Sequence, residues 1–142
     1  MKRFVKCLCL ILALSFCLAI PAAAEEAAPY SSNFFMSRDA YLHRTSNTSC
    51  QAWFEVTAMR GMTELGARYI DIEESSDGVN WYVVKTYHRS NYSNLIKYNT
   101  SNHTSYVTFS NMKPGYQYRM YVELYAEDSS GNVGLSGAYG YF

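Results

Sequence analysis

Gln117-Tyr118-Arg119-Met120-Tyr121-Val122-Glu123-Leu124-Tyr125-Ala126-Glu127 alternates without a break. Successive side chains of an extended chain point to opposite sides. Tyr118, Met120, Val122, Leu124 and Ala126 therefore share an inward face, against Gln117, Arg119, Tyr121, Glu123 and Tyr125 outward. A second stretch, 50–58, repeats this: Cys50, Ala52, Phe54, Val56 and Ala58 face one way, and Gln51, Trp53, Glu55 and Thr57 the other. Both read as half-buried strands with one core face and one wet face.

Weaker strands are expected at 41–45, 69–74, 81–87, 105–109 and 138–142, and no segment carries a helical stripe. Turn chemistry separates them. Ser75-Ser76-Asp77-Gly78 joins two strands as a hairpin, Lys113-Pro114-Gly115 turns the chain into 117–127, and Asp128-Ser129-Ser130-Gly131-Asn132 closes that strand. About seven short antiparallel strands at this spacing predict an all-β sandwich over 38–142, rather than a closed barrel or an alternating α/β fold. Residues 59–66 read as a loop or a single helical turn, and the polar stretch 89–102 carries no decisive pattern.

The N-terminus predicts export. Lys2, Arg3 and Lys6 flank an apolar run over 7–20, shorter than the ~20 residues a membrane helix needs. Pro21 ends that run, and Ala22-Ala23-Ala24 supplies small residues for cleavage before Glu25. Residues 1–24 are thus expected to be a signal peptide of bacterial type, 25–37 a flexible segment, and the mature chain a secreted monomer without a membrane anchor. Cleavage takes three of the twelve basic residues and none of the twelve acidic ones, leaving nine against twelve, a net charge of −3. That balance argues against a nucleic-acid partner, whose phosphates call for clustered Lys and Arg. Cys50 alone remains of four cysteines, so no internal disulfide forms; sharing the phase of Ala52 and Phe54, it is expected to be a buried thiol.

Met112-Lys113-Pro114-Gly115-Tyr116-Gln117-Tyr118-Arg119-Met120-Tyr121-Val122 resembles the turn and penultimate strand of fibronectin type III and related bacterial immunoglobulin-like modules. The resemblance implies an immunoglobulin/fibronectin-III-like antiparallel sandwich, with Tyr118 as a tyrosine corner whose hydroxyl bonds upstream backbone. It departs from that family where an inward Trp is usual: Phe54 takes the core phase and Trp53 faces out. Ser75-Ser76-Asp77-Gly78-Val79-Asn80-Trp81 is similar to a hairpin of discoidin-like carbohydrate-binding modules, which implies a tight turn with Trp81 folded over it. The mature chain also resembles small signal-bearing bacterial proteins, a likeness that brings no site with it.

No catalytic, cofactor or metal site is expected. His43, His88 and His103 lie on separate polar stretches with no nucleophile elbow, and no His or Cys pair has metal-ligand spacing. Asp71 and Glu73 share a strand face and form a carboxylate pair in principle, but with Glu74 and Asp77 they read as a solvated acidic face. The surplus of aromatics carries the functional promise. Trp53, Tyr121 and Tyr125 fall on outward faces, as cross-strand packing or as a surface for a protein or glycan partner, whereas Tyr118, Trp81 and Cys50 are structural. The leading expectation is a non-catalytic secreted interaction module of unknown ligand. A carbohydrate-binding module is the alternative, and a small secreted hydrolase stands behind both.

Overall fold

The computed structural model describes residues 32–142. The signal-peptide reading and most of the 25–37 segment lie outside the described residues. A 3-10 turn at Ser32–Phe34 leads into β1 (Phe35–Arg44), followed by β2 (Cys50–Ser75), β3 (Tyr82–His88), a second 3-10 turn at Ser93–Leu95, β4 (Ile96–Phe109), β5 (Gln117–Glu127) and β6 (Val133–Gly140). All pairings between these six strands are antiparallel.

Six strands stand where about seven were expected, because 50–58 and 69–74 belong to one 26-residue strand. The intervening 59–66, read as a loop or helical turn, is extended within that strand, and its 64–66 portion lies between β4 and β5. Upstream, 50–57 passes between β1 and β4, and downstream, 69–74 passes between β5 and β3. The register slips between Thr57 and Met62 and between Ala67 and Tyr69, which lets the strand bend without losing its ladders. At the bend Leu65, Gly66 and Ala67 are all buried, so the period-2 signal disappears where the strand crosses the core. Gly66 is required there: a Cβ would stand 1.9 Å from the Leu95 carbonyl oxygen.

The result is one sheet curled into a half-barrel. At one seam β1 and β6 meet through a bridge between Tyr41 and Tyr141, with Leu42 N–H donating to the Tyr141 carbonyl at 2.8 Å. On the other side, among the described residues, β3 and β4 each pair only with β2. The concave face holds Phe54, Ile70, Ile72, Met120, Val122 and Leu124, all fully buried. Cys50 lies among them as a free thiol, and burial pushes its pKa up to about 11. The stretch 89–102 contributes Leu95 to this core and then the first half of β4.

Three turns hold the strand ends. In 75–80, the Asp77 carboxylate accepts the Val79 and Asn80 N–H groups, the Ser75 hydroxyl oxygen accepts the Gly78 N–H, and Gly78 takes a φ of +73°. The Asp128 carboxylate does the same for Ser130 and Asn132 before β6 and pairs with Arg60 at 2.7 Å. At the third, the Tyr118 hydroxyl oxygen accepts the Lys113 N–H at 2.7 Å across the Pro114-Gly115 turn and donates to Glu74 at 3.0 Å.

Candidate functional site

The outward residues of the two arms of β2 form two aromatic ladders. On the first arm, Tyr41, Trp53 and Tyr106 stand directly opposite one another on β1, β2 and β4. The Tyr41 and Trp53 rings are parallel to within 4° at 6.3 Å, and Tyr106 lies 4.4 Å from Trp53. Gln51 accepts from the Trp53 indole N–H at 3.1 Å, which fixes the ring on the sheet.

On the second arm, Tyr121 of β5 faces Tyr139 of β6, with ring centroids 5.1 Å apart. Tyr69 of β2 lies diagonally across at 6.0 Å. The Tyr121 ring spreads over Gly137, where any Cβ would come within 2.5 Å of its hydroxyl oxygen. Next along the same face, the Arg119 guanidinium is held between Trp81 at 4.4 Å and Tyr139 at 4.8 Å, and its Nε donates to the Glu73 carboxylate. Strand pairing dictates this grouping, since Glu73 is opposite Arg119 in the ladder. Cation–π contact and the ion pair together hold the guanidinium while Tyr139 remains 49% exposed.

Trp53 and Tyr121 are therefore the centres of separate ladders, on different arms. Tyr125 needs correction as a surface candidate: it has the outward phase but is only 9% exposed. Arg89 covers its ring at 4.2 Å, and its hydroxyl donates to Glu127. Trp81, read as a structural lid on its hairpin, also forms one wall of the Arg119 clamp. Arg119, Tyr139, Tyr41 and Tyr106 were missed because their role depends on which strand lies beside which, and alternation within one strand carries no such signal.

The acidic and histidine side chains have other work. Asp71 accepts from the Thr86 hydroxyl, Glu73 pairs with Arg119, and Glu74 lies on the Tyr118 side bound by Lys113. His88 packs on Tyr69, and His103 bonds the Asn94 carbonyl with its pKa lowered by burial. Among the described residues no group of three His, Cys, Asp or Glu side chains is arranged to hold a metal ion.

A groove of about 750 Å³ lies at the open seam between β3 and β4. Val84, Lys85 and Tyr87 line one side and 105–109 the other, with Tyr92 and Asn94 between them. No protein-family model matches the chain, and no curated protein is significantly similar to it.

Proposed function

We propose that this chain is a secreted bacterial binding module without catalytic activity, which engages a protein partner through the outward face of β2, β5 and β6. The clamped Arg119 carries this reading. Trp, Tyr and Arg are the residue types that concentrate binding energy in protein interfaces, and here Trp81, Arg119, Tyr139 and Tyr121 adjoin on one face. A guanidinium already held by two rings and a carboxylate loses little conformational freedom on binding. The strand neighbours support a fibronectin type III-like arrangement, with β1, β2 and β4 as one layer and β3, β2, β5 and β6 as the other. The engagement of Asp71 and Glu73 by Thr86 and Arg119 favours binding over hydrolysis.

A second reading rests on the first ladder. The parallel Tyr41 and Trp53 rings suit a saccharide, whose apolar ring face stacks on aromatic planes. One experiment separates the two. The secreted chain, its Tyr139→Ala and Arg119→Lys variants and its Trp53→Ala variant would be compared on arrays of extracellular proteins and of glycans. A protein signal lost in Tyr139→Ala and Arg119→Lys but kept in Trp53→Ala is the expected result. A glycan signal abolished by Trp53→Ala would replace it with the saccharide reading, and no signal on either array would overturn both.

A further inference from the structure

The open seam between β3 and β4 is a second surface, independent of the Arg119 face. From its hydrogen bonding we infer that it takes an extended, acidic peptide segment, which adds as a strand to the free edge of β4. The carbonyl oxygens of Tyr106 and Thr108 are satisfied by side chains: Asn94 Nδ2 donates to Tyr106 at 2.8 Å, and the Tyr87 hydroxyl donates to Thr108 at 2.8 Å. In an antiparallel ladder the N–H and C=O of one residue point the same way, so both peptide groups face the groove and not β2. Asn94 and Tyr87 thus occupy the positions that a neighbouring strand's N–H groups would fill. An incoming strand that displaces them gains a backbone ladder along 105–109, a length of about 17 Å.

The choice of an acidic occupant follows from charge. Lys85 lines the groove, its ammonium 5.6 Å from the Tyr87 ring, and it forms no ion pair among the described residues. Among the described residues, no Asp or Glu lines the groove. A carboxylate on the added strand would meet the Lys85 ammonium, whereas a basic segment would be repelled. The alternative role of the Asn94 and Tyr87 caps is to blunt the edge against any pairing.

A random heptapeptide library displayed on phage, panned against the secreted chain, separates these roles. Peptides rich in Asp and Glu should be enriched, and synthetic copies should bind Lys85→Glu at least tenfold more weakly than the native protein. Thr108→Pro removes an N–H that faces the groove while leaving the β2 pairing intact, so it should abolish binding, whereas Thr108→Ala should keep it. Hydrogen exchange at Tyr106 and Thr108 in the native protein should slow when peptide is added, a readout that needs no variant to fold. Failure to enrich any peptide, enrichment of neutral or basic peptides, or protection at other amides would overturn the inference.

Discussion

Tyr118 joins three parts of the chain through one oxygen. Its ring is buried against Phe109, while its hydroxyl accepts from Lys113 N–H and donates to Glu74. Tyr118→Phe removes both bonds at a buried site and should cost about 1 to 3 kcal/mol, read from denaturant midpoints. Tyr118→Ala should cost about 3 to 5 kcal/mol, as large aromatic truncations in cores do. Glu74 links the same site to pH. The hydrogen bond from Lys113 and that from Tyr118 hold its carboxyl below the usual carboxylate range, against the opposing effect of burial. A folded-state pKa below the unfolded one contributes stability above the ordinary value of about 4.3, and that contribution is lost as pH falls through the folded value. Melts from pH 6 to pH 3 should therefore show a steeper loss for the native protein than for Glu74→Gln; equal slopes would remove Glu74 from the acid response. The buried Cys50 thiol should resist thiol reagents until the protein is unfolded, and rapid labelling of the native chain would contradict its placement.

At the level of elements, β2 organises the molecule, because every other strand except β6 pairs with it. Its bend makes two glycines behave in opposite ways. Gly66 has φ +157° and no room for a Cβ beside the Leu95 carbonyl, so Gly66→Ala must push the 93–95 turn away from the core. A cost of about 1 to 3 kcal/mol is expected, the usual range for overpacking. Gly61 has open space and ordinary backbone, so Gly61→Ala should be neutral or slightly stabilising through the unfolded chain. Thermal melts of the pair test the bend directly, and equal effects at both positions would mean that β2 does not pass close to Leu95.

For the whole molecule, the two outward ladders and the open seam are separable surfaces on one core. Tyr139→Ala should alter stability little and binding strongly, since the ring is half exposed. Tyr125→Ala should instead cost several kcal/mol, because Arg89 covers a nearly buried ring; circular-dichroism melts of the two variants distinguish them. Sequence alone determined the all-β class, the phase of 50–58 and 117–127, the turns at Asp77-Gly78 and Pro114-Gly115, and the inward place of Cys50 and Tyr118. Each depends on near neighbours in the chain, through period-2 alternation or local turn hydrogen bonds. The continuity of β2 through 59–66 was not legible, because 59–61 are exposed in succession and 65–67 buried in succession, so the alternation breaks on both sides of the bend. Only the tertiary structure decided that Arg119 sits between Trp81 and Tyr139, that Arg89 hides Tyr125, and that β3 and β4 leave a seam open. Those contacts join residues far apart in sequence, and strand order and register, which bring them together, are set by the packing of the whole sheet.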